Sequence, residues 1–284
     1  QVETLIFGRA IERAMFPERF IVGTENPDSL LPEVLQIFLK SFDCPILPMC
    51  YESAELAKIS INMCLAASIS VANSMAEICE NIGADWSEIV PALRLDKRIG
   101  EFCYINPGLG ISGGNLERDL ESVVQMSEQH GADGNVIKSW IENSQYRKNW
   151  PYRMLKDLVL SEKMDSKIAV LGLSYKENTN SIKNSPAILL IEQLNTCEIN
   201  VYDPLVKEIP NDSDVSHKKT AYEAIHGADV LLVMTPWDEF KELSVSDIAK
   251  GLNGNVLIDP YHIYEKKEAV ASDLKYVSLG AAVI

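Results

Sequence analysis

Positive charge is scarce in this chain of 284 residues. Lysine and arginine together number 26 against 41 aspartates and glutamates, which gives a formal net charge of -15. Such an acidic surface repels nucleic acids and anionic membranes, so neither is expected as a partner. A small anionic ligand stays compatible with this composition wherever a few cations converge.

Metal-binding and disulfide patterns are also missing from the sequence. The six cysteines form no C-x-x-C pair, and the four histidines show no metal-ligand spacing. We therefore expect reduced thiols, no bound metal and a cytoplasmic protein. Cys64 and Cys79 lie in an apolar helical stretch, which predicts that both thiols are buried.

The first residue is Gln1 rather than methionine, and no secretory signal pattern opens the sequence. We expect an N-terminal part of a longer protein to be missing here. A processed or trimmed chain would begin in the same way, so both interpretations stay open.

Charge is absent from residues 59 to 76. A run of this length is compatible with a membrane span, but several serines and asparagines interrupt it, which favours a buried helix of a soluble protein. The surrounding stretch, 52–82, predicts one long helix that ends near Gly83. Because apolar side chains cover most of its circumference, we expect burial in a domain core or a subunit interface.

Two kinds of pattern divide the rest of the chain. Short strands at 19–23 and 44–49 and helices at 30–42, 85–95, 119–130 and 133–160 are predicted first, with Asp85 as a helix N-cap. From residue 166 onward, apolar runs alternate with helical stretches, which predicts a parallel sheet whose ligands bind at the carboxyl ends of its strands. These runs are 167–173, 198–204, 229–236, 255–260 and 274–280.

One lysine and one asparagine are candidates for chemistry on the long helix. Lys58 and Asn62 are four residues apart and therefore share a helix face. Lys58 opens the uncharged stretch, and a desolvated lysine can donate or accept a proton. The alternative is a solvated ion pair of Glu55 with Lys58 at the start of the helix, and the spacing alone favours that alternative.

A glycine-rich segment, "INPGLGISGGNLERDL" at residues 105–120, permits close approach of the backbone to a ligand. Arg98 and Arg118 flank its glycines, and two cations in so acidic a chain suggest an anionic ligand such as phosphate. Glycine-rich turns often only connect helices, however, and ordinary surface charges would give the same pattern.

The order of the sequence motifs is similar to the order found in a known protein family. The segments "PERFIVG", "ESAELAKISIN", "LDKRIG", the glycine loop, "GLSYKENTNSIKNSP", "VYDP" and "ADVLLVMTPWDEF" follow one another along the chain. The chain resembles, over essentially its whole length, the UDP-glucose/GDP-mannose (nucleotide-sugar) 6-dehydrogenase family. The resemblance implies an α/β protein with a central all-helical dimerisation domain followed by a Rossmann-like parallel-sheet UDP-binding domain.

The same resemblance implies domain boundaries, a cofactor and a partner. Residues 1–50 would be the remnant of an NAD-binding domain, 51–150 the central domain, 151–165 a connecting helix, and 166–284 the nucleotide-sugar-binding domain. Neither residues 1–50 nor the loop at 172–186 contains the G-x-G-x-x-G fingerprint of dinucleotide sites. The expected cofactor is NAD, the expected ligand is a nucleotide sugar, and the expected partner is a second copy that packs on the central helix.

Roles for individual residues follow from the resemblance alone. Lys58 and Asn62 match residues that position and polarise the C6 oxygen of the sugar, which makes the catalytic interpretation of this pair the preferred one. Asp119 matches an aspartate that assists proton transfer, and Glu3 stands at the place of a catalytic glutamate.

The substrate contacts implied are Arg98, Gly108, Gly110, Tyr175 and Lys176. The cofactor contacts implied are Arg118, which replaces a lysine, and Lys183, which replaces an arginine. Tyr261 replaces an arginine, which removes one expected contact.

One departure from the family's pattern concerns the reaction itself. The family writes the loop roughly as G-x-G-[FY]-G-G-x-C-[FL]-P-K-D, and Asn115 stands here in place of the nucleophilic cysteine. An amide nitrogen cannot form the thiohemiacetal and thioester of the family's route, although Asn115 can donate a hydrogen bond to an oxyanion. The preferred interpretation is an NAD-dependent dehydrogenase with altered second-step chemistry. A catalytically silent relative that binds a nucleotide sugar or only dimerises, and an unrelated structural α/β protein, are the alternatives.

Overall fold

The computed structural model describes residue 2 and residues 10–209 and 215–283. It divides into two compact units, Gln1–Cys64 and Leu65–Ile284. The described helices are α1 Ala10–Met15, α2 Glu33–Lys40, α3 Tyr51–Ile82, α4 Trp86–Leu95, α5 Asn115–His130, α6 Asn135–Lys148, α7 Trp150–Leu155, α8 Pro186–Ile191, α9 Ala221–Ile225, α10 Asp238–Lys241, α11 Val245–Gly251 and α12 Lys266–Ala271. The described strands are β1 Phe20–Thr24, β2 Ile46–Cys50, β3 Lys167–Leu171, β4 Glu198–Tyr202, β5 Val215–His217, β6 Val230–Val233, β7 Val256–Ile258 and β8 Lys275–Val277.

The first unit contains a pair of parallel strands, β1 and β2, with Phe20 opposite Ile46. Phe20, Val22 and Leu39 form a small buried cluster between these strands and α2. α2 begins after Pro32, whose fixed φ suits the residue that precedes a helix. The two predicted strands and the helix are thus confirmed, with boundaries shifted by a few residues.

Helix α3 has 32 residues. It ends at Gly83, whose φ of 78° is the left-handed conformation that stops helices. By length and composition this helix could cross a membrane, and 28% of its most apolar window is buried. Val71, Met75 and Ile78 on α3 are exposed, so a domain core does not supply the predicted burial, and burial in a subunit interface stays a prediction. Cys64 is likewise exposed rather than buried, whereas Cys79 is buried as predicted.

The second unit holds a helical region and a sheet. Asp85 caps α4 as predicted, since its side chain accepts a hydrogen bond from the Ser87 N–H. The single helix predicted at 133–160 is wrong: α6 stops at Lys148, and α7 starts at Trp150 and passes into a π-helical turn at Lys156–Leu160. Pro151 explains the break, because its nitrogen cannot donate to the preceding turn.

The sheet has six parallel strands in the order β5-β4-β3-β6-β7-β8, which confirms the predicted parallel sheet. Counted from β3, this is the 3-2-1-4-5-6 order of the Rossmann fold, whose crevice lies where the order reverses, between β3 and β6. The central strands are buried on both faces, which explains their continuous valine, isoleucine and leucine runs. β5 is a short edge strand that the sequence patterns missed.

Candidate functional site

The glycine loop, residues 108–114, is fixed at its first residue and at its middle by side chains from two helices. The Gly108 N–H donates to Asn73 Oδ1 on α3 at 2.8 Å. The Ile111 N–H donates to Ser144 Oγ on α6 at 2.8 Å, and the Ile111 side chain is buried. These bonds satisfy the backbone of a segment that has no secondary structure of its own. The loop is therefore held in one conformation by α3 and α6.

Two glycines in this loop are required by its shape. Gly110 and Gly113 have φ of 75° and 96°, where side chains are rarely tolerated. A Cβ at Gly110 would collide with the Ser144 backbone, and a Cβ at Gly113 would press on the Tyr175 ring. Gly113 thus marks the place where the glycine loop meets the 172–186 loop.

Helix α5 begins directly after the glycine loop, with Asn115 as its first residue. It begins one turn earlier than the sequence predicted, so Asn115 is exposed at the amino-terminal end of a 16-residue helix. Asp119 follows one turn later and forms an ion pair with Arg118 at 3.4 Å. The Arg118 side chain is 69% exposed, whereas that of Asp119 is 14% exposed. Asn115 and Asp119 lie on the same face of α5, because residues four apart share a face.

The 172–186 loop leaves β3 and is pinned at its start by Asp203. This carboxylate is buried and accepts from the Leu173 and Ser174 N–H groups at 2.8 and 3.2 Å, and from Trp237 Nε1 at 3.1 Å. Thr235 Oγ1 donates to the Ser174 carbonyl at 2.6 Å. The backbone just before Tyr175 is therefore fixed by the sheet beneath it.

The two loops make direct contact. Asn184 Nδ2 donates to the Gly113 carbonyl at 3.3 Å and also to a Glu117 carboxylate oxygen. The end of the Lys183 side chain packs over Gly114. Lys176 Nζ lies 5.7 Å from the centre of the Tyr175 ring. The structure therefore brings the predicted residues Tyr175 and Lys183 to the glycine loop, with Lys176 beside the Tyr175 ring.

The remaining predicted residues are Arg98, Lys58, Asn62 and Glu3. Arg98 sits in an exposed turn, where its guanidinium bonds Asp96 at 2.6 and 3.0 Å. This pairing raises the pKa of Arg98 and lowers the pKa of Asp96. Lys58 and Asn62 are half-buried and one turn apart on α3, in the first unit. Glu3 lies outside the described residues.

Tyr261 bonds residues that follow strands of the sheet. The family resemblance implies an arginine at this position. Its hydroxyl donates to the Met234 carbonyl at 3.2 Å, and its N–H donates to Asp259 Oδ1 at 3.2 Å. The ring also lines a cavity of about 390 Å³ with Trp86 and Pro107. Burial raises the pKa of both Tyr261 and Asp259. Because its hydroxyl is used inside the protein, Tyr261 does not replace a cationic phosphate contact.

The described residues do not fit a dinucleotide such as NAD. Gly108, Gly110 and Gly113 have G-x-G-x-x-G spacing, but irregular backbone rather than a strand precedes them, so the context of the fingerprint is wrong. At the crevice between β3 and β6, Thr235 fills the space that a Cβ on Gly172 would need. Asp203, at the end of β4, where Rossmann proteins bind ribose, points inward to the Trp237 indole and to backbone N–H groups.

Sequence reasoning missed the residues that build the two loops. Asn73, Ser144 and Asn184 bond the glycine loop, and Glu117, in the first turn of α5, accepts from Lys148 and Asn184. Glu117 had a signal, because it stands where the family's pattern has proline. The other three look like ordinary polar residues on a helix or in a loop.

Family models match two long segments of this chain. The central domain of the UDP-glucose/GDP-mannose dehydrogenase family matches residues 52–145. The UDP-binding domain of the same family matches residues 169–266. Together these segments include the glycine loop and most of the six-stranded sheet. The UDP-binding segment begins in β3 and includes the whole 172–186 loop.

Named relatives agree with these models. The UDP-glucose 6-dehydrogenase TuaD of Bacillus subtilis (strain 168) is 30% identical over 290 residues, which cover 99% of this chain and 61% of the relative. The UDP-glucose 6-dehydrogenase of Rickettsia prowazekii (strain Madrid E) is 29% identical over 99% of this chain and 66% of the relative. The chain thus spans less than two thirds of the length of these curated relatives.

Solved structures share the fold. A UDP-glucose dehydrogenase from Pyrobaculum islandicum superposes with a TM-score of 0.83 at 24% identity, covering 99% of this chain and 62% of that one. A UDP-D-ManNAc dehydrogenase from Pyrococcus horikoshii superposes with a TM-score of 0.80 at 21% identity, covering 98% and 63%. With two family models matched in order along one chain, this protein belongs to the UDP-glucose/GDP-mannose dehydrogenase family.

Proposed function

We propose that this chain binds a nucleotide sugar of the UDP-glucose or GDP-mannose type and supports oxidation of its C6 hydroxyl. The observation that carries the proposal is the contact between the glycine loop and the 172–186 loop. The first belongs to the central-domain match and the second to the UDP-binding match. Asn184, Lys183 and Tyr175 meet the glycine loop directly. A ligand lying along both loops would have its sugar at one family segment and its nucleotide at the other.

The residues available for the first oxidation handle a proton and a developing alkoxide. Oxidation of the alcohol removes a hydride from C6 and a proton from the hydroxyl. Lys58 and Asn62 share one face of α3, and a half-buried lysine is suited to proton transfer and oxyanion support. Asp119, on the Asn115 face of α5, is the third candidate for orienting the proton or a water molecule.

The second oxidation lacks its nucleophile. In the route that the family resemblance implies, a thiol captures the aldehyde, and the resulting adduct gives up a second hydride. Asn115 occupies that place, and its amide nitrogen is not a useful nucleophile. The product should therefore be the aldehyde or its hydrate, since water alone forms the adduct slowly. Asn115 keeps the role of a hydrogen-bond donor at the amino-terminal end of α5.

NAD is the hydride acceptor that family membership implies. The described residues do not fit a dinucleotide, as the backbone before Gly108 and the contacts of Asp203 indicate. Arg118 and Lys183, the implied cofactor contacts, remain candidates only. The domain boundaries at 50, 150 and 165 remain part of the same proposal, as does a cytoplasmic location.

A homodimer through α3 belongs to the proposal too. Val71, Met75, Ile78 and Ile82 are exposed at intervals of four, three and four residues. This spacing makes an apolar stripe along one side of the helix, the arrangement by which two helices pack. A second copy of the chain would cover the stripe, whereas a nucleic acid or a membrane would not suit so acidic a protein.

A catalytically silent relative is the second candidate. Asn115 in place of a thiol, and the lack of fit to a dinucleotide, both favour binding without turnover. The two candidates share the nucleotide-sugar site and differ only in the chemistry that follows.

Calorimetric titration of the chain with UDP-glucose, GDP-mannose and UDP tests the shared site. We expect saturable binding of at least one sugar nucleotide, weakened about tenfold by Tyr175→Ala through the loss of one ring contact. Tyr222→Ala, which removes an exposed tyrosine on α9, is the matched control and should bind as the parent does. No binding of any of these ligands at millimolar concentration would contradict the proposal.

A further inference from the structure

Glu117 stands out in the first turn of α5 because it departs from the family's pattern close to Asn115. The pattern has proline at this position, which has no polar side chain to offer. The Glu117 side chain is 16% exposed, so its carboxylate is largely withdrawn from solvent. An acid in the first helical turn is also favoured by the helix dipole.

The carboxylate of Glu117 bonds two segments that are far apart in sequence. Lys148 Nζ, at the end of α6, donates to Oε1. Asn184 Nδ2, in the 172–186 loop, donates to Oε2 and also reaches the Gly113 carbonyl at 3.3 Å. The Glu117 side chain therefore ties α5 both to α6 and to the 172–186 loop, and Asn184 joins that loop to the glycine loop.

The two bonds of Glu117 differ in how their loss would affect the stability of the fold. Lys148 is 4% exposed at its side chain, and its stem packs under Gly110. Removing Glu117 would leave this buried ammonium without its counterion, which is costly for folding. Asn184 is exposed, so the loss of its bond would cost little stability but would free the 172–186 loop from α5.

We propose that Glu117 is a positioning residue that holds Asn115 and the glycine loop against Tyr175 and Lys183 before a ligand arrives. The inference rests on the proposed function, because those loops form the proposed nucleotide-sugar site. A site whose two walls are already joined binds with less ordering of its loops. Glu117 thus contributes to affinity without touching the ligand.

Substitutions can separate positioning from stability. Glu117→Ala removes both bonds, and Glu117→Ala with Lys148→Met also removes the buried charge while keeping an apolar stem under Gly110. We expect the single variant to lose thermal stability and the double variant to regain it. Glu121→Ala, which removes an exposed acid one turn further along α5, is the control.

The decisive readouts are backbone hydrogen exchange and titration with UDP-glucose. In both Glu117 variants, we expect exchange in 108–114 and in 172–186 to rise about tenfold and UDP-glucose to bind about tenfold more weakly, as suits the loss of one charged hydrogen bond. Adding Asn184→Ala to the double variant should raise exchange in 172–186 further, because it also removes the remaining bond from Asn184 Nδ2 to the Gly113 carbonyl.

Two outcomes would overturn the inference. The first is a double variant that recovers loop protection together with stability, since Glu117 would then act only as the counterion of Lys148. The second is raised exchange confined to α5 and α6. Failure of the parent chain to bind any nucleotide sugar would contradict the proposed function instead, while the exchange data measured without ligand would still decide the role of Glu117.

Discussion

The six-stranded sheet and helix α3 differ in how their apolar residues are covered. All four residues of β6 are buried, and the helices of the same region supply the side chains that cover them. On α3, by contrast, Met75 and Ile78 remain exposed within the same compact unit. The sheet completes its own core, whereas α3 presents a face that needs a partner. Apolar composition alone would not distinguish these two situations.

Buried polar groups show the same contrast. Asp203 in the sheet region uses both carboxylate oxygens, accepting from the Leu205 and Val206 N–H groups as well as from the loop after β3. Arg147 in the helical region is fully buried and forms ion pairs with Glu77 and Glu80, yet its Nε has no hydrogen-bond partner. The sheet is therefore the more completely satisfied of the two regions.

The largest expected effect is in the sheet. Asp203→Ala would leave the Leu173 N–H, the Trp237 indole N–H and other buried donors without an acceptor. We expect a loss of about 3–5 kcal/mol in the free energy of unfolding, measured by urea titration. Asp247→Ala, at an acid whose side chain is 52% exposed, should change the value by less than about 0.5 kcal/mol. Equal effects of the two variants would contradict the role assigned to Asp203.

A smaller effect is expected on the exposed face of α3. Ile78→Glu places a charge in the apolar stripe and should weaken self-association by about 100-fold, close to 2.7 kcal/mol. Light scattering at micromolar concentration should show a dimer for the parent and a monomer for the variant. Val136→Glu makes the same change at an exposed valine on α6 and should leave the dimer intact. A parent chain that is monomeric at this concentration would contradict the proposed interface.

The smallest loss of stability is expected in the helical region, at the N-cap of α4. Asp85 caps α4 by accepting from the Ser87 N–H and from Ser87 Oγ, at 2.8 and 2.6 Å. Asp85→Ala should cost about 1 kcal/mol of stability, the usual value of an N-cap. Asp85→Asn, which keeps an acceptor oxygen, should recover most of it. The midpoint of urea unfolding measures both, and a loss above that of Asp203→Ala would reverse the proposed ranking.

Local patterns predicted the sheet well. Its strands are buried on both faces, so continuous apolar runs marked them, and glycine and proline residues marked their ends. The short strand β5 was not predicted, because Val215–His217 contains no apolar run. The break between α6 and α7 escaped because the helical pattern continues through Asn149 and Pro151, and only the proline signals a stop.

The site was predictable only in part. Closely spaced glycines identify the glycine loop in the sequence, and motifs of the family identify Tyr175 and Lys183. The partners that fix the loop cannot be read from the sequence, because Asn73, Ser144 and Asn184 are separated from it by 33 to 71 residues and follow no local rule. Long-range contacts of this kind depend on how the helices pack, not on local propensity.

The central claim concerns Asn115, and product analysis tests it most directly. On its own, the chain should make no NADH, because its described residues do not fit a dinucleotide. Joined to the NAD-binding domain of a family relative and supplied with UDP-glucose and NAD, it should yield about one NADH per sugar and an aldehyde or hydrate, because Asn115 cannot capture the aldehyde. Asn115→Cys in the same chimera should restore some acid formation. Rapid, stoichiometric uronic acid from the Asn115 form, with about two NADH per sugar by mass spectrometry and absorbance together, would contradict the account.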